Sequence, residues 1–307
     1  MTQSKNKAAV IKSFLIFVAF LIFSVFVSEE VSRNVLNGFL FSVRVILPTV
    51  FPFMVFSDLA THFFEFEKSK RLSSIFERCF KISGSGISAF LSGMTGGFPV
   101  GAKNALSLYN DGKISKCECE RLMSFSNIAS PAYVISAVGI GILSDFKIGI
   151  ILYATVIISA IASGLLIGIK KEYSANKELK PKQNYNSVNS LKSSSAASIN
   201  VIFFISFFCA ICSIIKKCPL PEIVKCLLVS VTEVGNAVAY ISDLHIFSFR
   251  FSLALIAFSL SFSGISVIMQ SLAIEGGKEM STKKCILYKL IQGAVSFLII
   301  LVLPIDL

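Results

Sequence analysis

Between Ser92 and Gly101 the chain reads Ser-Gly-Met-Thr-Gly-Gly-Phe-Pro-Val-Gly, followed by Ala102, Lys103 and Asn104. Four glycines and a proline in so short a run oppose a regular helix: glycine costs backbone entropy, and proline lacks the N–H. The apolar stretch around it, Ile87–Tyr109, is too short to cross a bilayer twice as full helices, each needing about 20 residues. Non-helical backbone at membrane depth is tolerated where it lines a cavity or is buried in protein. The run therefore predicts a re-entrant hairpin or broken helix turning near Gly96–Pro99, with Pro99 opening the second arm. That arm would offer free N–H groups and a positive dipole end around Gly96, Gly97, Pro99 and Gly101 to an anion. Lys103 lies one turn further on, where an ammonium is costly and needs a negative partner. A plainer reading stands beside this one: Gly93, Gly97 and Gly101, spaced by four, make a helix-packing face, and Lys103 snorkels to the interface.

Three further apolar segments carry polar groups. Ser124-Phe125-Ser126-Asn127-Ile128-Ala129-Ser130-Pro131 opens an apolar run. Asn127 and Ser130 can donate and accept there, as ligand contacts or as glue between helices. Ser230-Val231-Thr232-Glu233-Val234-Gly235-Asn236 puts a carboxylate inside another. Glu233 reads as a cation site, a proton carrier or the partner of Lys103 or Arg44, unless its helix starts late and leaves it interfacial. In the third, Ser263, Gly264, Ser266 and Gln270 line a serine-rich interrupted stretch, although serines also bond to their own helix carbonyls.

Catalytic and metal signatures are lacking. No phosphate-binding Gly-rich loop ending in Lys-Ser/Thr, no nucleophile elbow and no His-Glu-x-x-His helix occurs. The eight cysteines and two histidines form no ligand cluster, and the Cys209–Cys212 pair sits in apolar sequence. We therefore expect no enzyme, no metal and no cofactor.

Composition says what must position these residues. Of 307 residues 54% are hydrophobic and 15% charged, and the mean hydropathy is +0.76. A soluble domain cannot hide that much apolar surface. Phe14–Val27, Ile148–Ile169, Ile199–Ile215 and Ile286–Leu303 approach the length of a bilayer crossing. The net charge of +11 suits basic cytoplasmic loops better than nucleic acid. The N-terminal run after Lys5, Lys7 and Lys12 lacks a cleavage site and reads as a first span with its N-terminus in the cytoplasm. Asn34–Ala60, interrupted by Arg44, Pro48 and Pro52, predicts an interfacial helix before Pro48 and a span after it. Glu65–Lys81 is charged and reads as cytoplasmic. Met123–Leu143 and Ile148–Ile169 read as spans joined by a tight turn, and Ile223–Ile241 as another span. Residues 170–198, rich in Lys, Asn and Ser, read as a basic cytoplasmic linker.

The expected fold is thus an all-α polytopic membrane protein with about seven to ten membrane segments. Its halves are 1–169, with a hairpin at 86–109, and 199–307, with a second at 251–274. The halves look related, Ala89–Gly97 matching Ala257–Gly264. Interrupted apolar segments at matching places point to a transporter site.

Pro48-Thr49-Val50-Phe51-Pro52-Phe53, the Ser92–Lys103 run, Leu108-Tyr109 with Gly112, Glu120-Arg121-Leu122 and Phe125–Pro131 together resemble the YlbJ (stage V sporulation protein V) family of sporulation membrane proteins. That family carries a nucleoside-recognition "Gate" signature. Thr232-Glu233 and Phe262–Gln270 fit its second half. Gly97-Phe98-Pro99 departs from the family's usual Gly-Tyr-Pro by one hydroxyl. The resemblance implies a fold like that of concentrative nucleoside transporters and a place in the outer forespore membrane. It also implies a role in moving dipicolinic acid. On that footing Lys103 would be the counter-charge, Asn127 and Ser130 hydrogen-bond donors, and Glu233 a coupling or structural partner. The expected partners are a small anionic substrate and the lipid bilayer, with further copies of the chain or other sporulation membrane proteins, and no nucleic acid. A nucleoside or other small-metabolite carrier, and a non-transporting sporulation scaffold, remain open alternatives.

Overall fold

The computed structural model describes residues 2–26, 28–63, 70–169 and 187–304. Helices make up its regular structure, and no strand occurs among these residues. Four helices are long and apolar enough to cross a membrane, or five if the bent pair Ser13–Val25 and Ser28–Ile46 counts as one. Large apolar side chains stand exposed along them, among them Phe14, Ile158, Phe203 and Leu298, which a bilayer would cover.

The N-terminal elements are α1 (Thr2–Phe26), α2 (Ser28–Phe41), a π turn (Ser42–Ile46) and α3 (Leu47–Phe63). The chain stays helical from Ser28 to Phe63, the π turn joining α2 to α3 just before Pro48. Pro48 and Pro52 each remove a backbone donor from this run, and the π turn lies immediately ahead of the first of them. The charged 65–69 stretch lies outside the described residues. After it, α4 (Lys70–Phe80) is a short helix whose Phe76 and Phe80 meet Phe125, the Phe80 and Phe125 rings stacking at 4.9 Å.

The rest of the first half is α5 (Gly86–Gly96), α6 (Val100–Asn110), α7 (Lys116–Ser126), a π-helix (Ala132–Ile142, here π2) and α8 (Phe146–Gly168). Each start has a local cause. Ser115 and Glu118 form a capping box on α7, and Asp145 accepts from the N–H groups of Lys147 and Ile148 at 2.7 and 3.1 Å. The α8 helix packs closely on π2: a Cβ on Gly139 would stand 2.5 Å from the Gly149 Cα, the small-residue contact expected between membrane helices. Met123–Leu143 is therefore not one regular span. It is broken at 127–131, because Asn127–Ser130 leave the helix to meet the preceding hairpin.

Residues 170–186 of the expected linker lie outside the described residues, and 187–198 are helical, forming the start of α9 (Ser187–Lys217). There follow α10 (Glu222–Thr232), α11 (Val234–Asp243), α12 (Phe249–Phe262), α13 (Gly264–Leu272) and α14 (Thr282–Val302). The two halves repeat one order: two short helices folded back on each other, then a broken helix, then a long span. In the first half these are α5–α6, α7–π2 and α8; in the second they are α10–α11, α12–α13 and α14.

This order corrects the second hairpin. Residues 249–272 run on as one 24-residue span, broken at Ser263, and do not fold back. The hairpin of the second half is α10–α11, turning at Glu233, in what read as the span Ile223–Ile241. The Ser263–Gly264 break is thus the counterpart of Asn127–Ser130, not of Gly96–Pro99. The similarity between Ala89–Gly97 and Ala257–Gly264 reflects shared small and apolar composition.

Candidate functional site

The first hairpin turns at Gly97, whose φ of +77° belongs to glycine, and α6 begins after Pro99. The three glycines spaced by four do pack, but across the break and onto the next broken helix. A Cβ on Gly93 or Gly101 would lie 1.8 or 2.1 Å from the Ser126 carbonyl oxygen, and one on Gly97 would lie 2.6 Å from Ser130 Cβ. Tyr153 of α8 donates to the Met94 carbonyl at 2.7 Å and holds the end of α5. The broken turn and the packing face, opposed readings of the sequence, are therefore both present.

The second half is built alike without a glycine at its hairpin turn. Glu233 is extended (φ −150°, ψ 126°) and caps α11, its carboxylate accepting from the N–H groups of Gly235 and Asn236 at 2.9 and 2.7 Å. The Asn236 amide donates to the same carboxylate at 2.9 Å and accepts from Lys216 at 3.2 Å, so a neutral amide links ammonium and carboxylate. Opposite this tip, Ser263 is left-handed (φ +71°). A Cβ on Gly264 would stand 2.9 Å from the Thr232 carbonyl oxygen and 3.1 Å from the Glu233 Cα. Each hairpin tip thus seats on the broken helix of its own half. Ser263 and Gly264 face the second tip, because the broken helix adjoins the hairpin that precedes it in the chain.

Between the tips lies a cavity of about 80 Å³. Its polar lining is Ser130, Tyr133, Glu233 and Gln270. Phe98 comes from the first tip, its ring meeting that of Tyr133 edge-on at 6.3 Å. Val234 and Gly235 come from the second tip, Val267 from α13, and Val45 and Ile46 from the first π turn.

Of the residues singled out in the sequence, Ser130, Glu233 (5% exposed) and Gln270 (2% exposed) share this lining. Gly96, Gly97, Pro99 and Gly101 shape the tip that presents Phe98. Ser266 is buried beneath, accepting from the Gln270 amide at 3.2 Å. Lys103 is buried on α6, 4% exposed, and is not among the lining residues. Asn127 also points elsewhere: its amide donates to Ser271 of α13 at 2.9 Å, which joins the two broken helices. Glu120 and Arg121 tie elements together. Arg121 donates to the Phe80 and Lys81 carbonyls at 3.3 and 2.7 Å, and Glu120 accepts from Ser281 N and Lys284 Nζ at 3.0 and 2.6 Å.

Sequence reasoning missed Phe98 and Tyr133 as walls of the site, and Lys289 altogether. Lys289, on α14, is 2% exposed. It donates to the carbonyl oxygens of Asn127 and Ser261 at 2.5 and 3.2 Å and to Gln292 Oε1 at 2.9 Å. The available signal was a lysine three residues inside the apolar run Ile286–Leu303, where a charge marks function by default. Among the described residues no cluster of His, Cys, Asp or Glu could hold a metal ion.

These features define a polytopic α-helical membrane protein whose paired hairpins and broken helices surround an internal cavity. In direct comparison the chain is similar to the sporulation integral membrane protein YlbJ of Bacillus subtilis (strain 168), with 31% identity over 167 residues. The match covers 54% of this chain and 40% of that protein, so less than half of the relative's length is represented. No family model and no solved structure matches.

Proposed function

We propose that the chain is a secondary transporter of a small, flat metabolite, with dipicolinic acid as first candidate, acting in the outer forespore membrane during sporulation with its N-terminus in the cytoplasm. The observation that carries this reading is the cavity between two hairpin tips, each seated on a broken helix, in a twice-repeated arrangement. Broken helices from two repeats meeting at membrane depth are how membrane carriers build a substrate site. The Phe98 and Tyr133 rings suit a flat aromatic guest, and the similarity to a sporulation membrane protein supplies the setting.

One feature of the lining favours a second reading. Its charged side chain is the Glu233 carboxylate, and among the described residues no Lys or Arg lines it. A bare dianion would meet a like charge, so dipicolinic acid would enter protonated or paired with a cation. A nucleoside, neutral and rich in hydroxyl and amino donors, would meet Glu233 and Gln270 directly. Reconstitution of the purified chain in liposomes separates the readings. Uptake of labelled dipicolinic acid that excess nucleoside leaves unchanged supports the first, and nucleoside uptake supports the second. Transport of neither would favour a scaffold acting on a partner channel. Spores lacking the chain should contain less dipicolinic acid, and normal content would reject the first reading.

A further inference from the structure

The two broken helices of the halves meet at a third element, α14. α7 ends at Ser126 and α12 at Phe262, and both ends turn backbone carbonyls toward the same point. The C-terminal end of a helix carries a partial negative charge from its unpaired carbonyls. Two such ends brought together at membrane depth form an oxygen cluster that attracts a cation. In carriers with interrupted helices, half-helix C-terminal ends are where alkali ions bind.

Here the position is taken by a side chain. Lys289 Nζ contacts the Asn127 carbonyl, the Ser261 carbonyl and Gln292 Oε1 at 2.5, 3.2 and 2.9 Å. These three oxygens come from α7's C-cap, the last turn of α12 and α14 itself. Further oxygens lie close in the chain: Ser261 Oγ pairs with Ser159 Oγ of α8 at 3.2 Å. Asn127 Oδ1 is buried without a hydrogen-bond partner among the described residues. A small cavity adjoins the ammonium, with Met123 and Ile268 in its lining beside Ser124, Asn127, Ser271 and Cys285.

We propose that the Lys289 ammonium is the resident cation of the two helix breaks, filling with a tethered charge the position where these carbonyls would otherwise recruit an alkali cation. The wild-type chain then needs no Na⁺ to hold its breaks together. Removing the ammonium uncovers an oxygen-lined site that takes Na⁺ or NH₄⁺. Lys289 is in this account a positioning residue, since it touches the backbone of both breaks and does not line the larger cavity.

The test is thermal unfolding of the full-length protein in detergent, with NaCl, NH₄Cl and choline chloride compared at equal ionic strength. No substrate is added, so the result is separate from the identity of the transported molecule. The wild-type melting temperature is expected to be the same in all three salts. Lys289→Ala is expected to melt lower in choline and to recover by a few degrees, saturably, in Na⁺ or NH₄⁺, as a ligand binding only the native state requires. Lys289→Gln, which keeps most of the volume, is the second variant, and both are purified in each salt throughout. Saturable stabilisation of the wild type by Na⁺ would overturn the proposal. So would failure of every cation to recover either variant, including failure of both to fold in any salt.

Discussion

Gly97→Ala is the sharpest perturbation of the first hairpin tip. The added Cβ would lie 2.6 Å from Ser130 Cβ, 2.7 Å from Ser130 N and 3.0 Å from Ser130 Cα. Ordinary carbon contacts begin near 3.5 Å, so tip and broken helix must part by roughly 1 Å. The Gly97 backbone, at φ +77° and ψ −168°, lies in a region open essentially to glycine, and a side chain there costs about 1–3 kcal/mol. Overpacking against a rigid neighbour adds about 1–3 kcal/mol. The sum, about 2–6 kcal/mol, is large against the stability of a typical domain. The matched control is Gly141→Ala, whose Cβ meets only the Ser136 carbonyl oxygen at 3.4 Å and should change stability by less than about 0.5 kcal/mol. Melting of the two variants in detergent, followed by ligand uptake in liposomes, measures the contrast. If Gly97→Ala melts and transports like Gly141→Ala, the tip is not clamped on Ser130 and the reasoning fails.

Other outcomes follow from the same geometry. Glu233→Ala leaves the Gly235 and Asn236 N–H groups without their acceptor and should cost about 0.5–2 kcal/mol, read by denaturant or thermal unfolding. Glu233→Gln should recover part of that stability yet reduce nucleoside uptake, because a neutral amide replaces the lining carboxylate. Ser271→Ala strands the buried Asn127 amide that now donates to it, and a loss of about 1–3 kcal/mol is expected in the same assay. Gly139→Leu should push π2 off α8, where a Cβ alone would stand 2.5 Å from Gly149 Cα, and should lower the yield of folded protein in detergent extracts.

The first hairpin was legible because its turn is written in residues with intrinsic backbone preferences. Gly96, Gly97 and Pro99 oppose a helix whatever surrounds them. Of the other three breaks, one is made by a local cap and two mainly by tertiary contact. Glu233 leaves the helix with no glycine or proline at its own position. It does so because its carboxylate finds the two N–H groups at the start of α11. Ser263 adopts a left-handed backbone against the second tip. Asn127 lies in a stretch apolar enough to pass for a span, and its side chain pairs with Ser271, 144 positions away in sequence. Such breaks exist only once their partners have arrived, so periodicity and composition do not register them. The pairing of repeats was misread for the same reason: small residues recur in both a hairpin arm and a broken helix. Glu233 and Gln270 were found as site residues because polar groups in apolar sequence stand out. Phe98 and Tyr133 did not stand out, since an aromatic wall of a cavity reads like any lipid-facing ring.

If the space between the two tips holds a small ligand, filling that space should abolish binding. Val267 lines it from α13, so Val267→Trp should occupy it. Equilibrium binding of labelled dipicolinic acid, and in parallel of a labelled nucleoside, is measured on the purified wild-type and variant proteins, with melting temperatures confirming that both are folded. Saturable binding of one ligand by the wild type, lost in the folded variant, is the predicted result. Binding that survives the tryptophan unchanged would place the ligand outside this space.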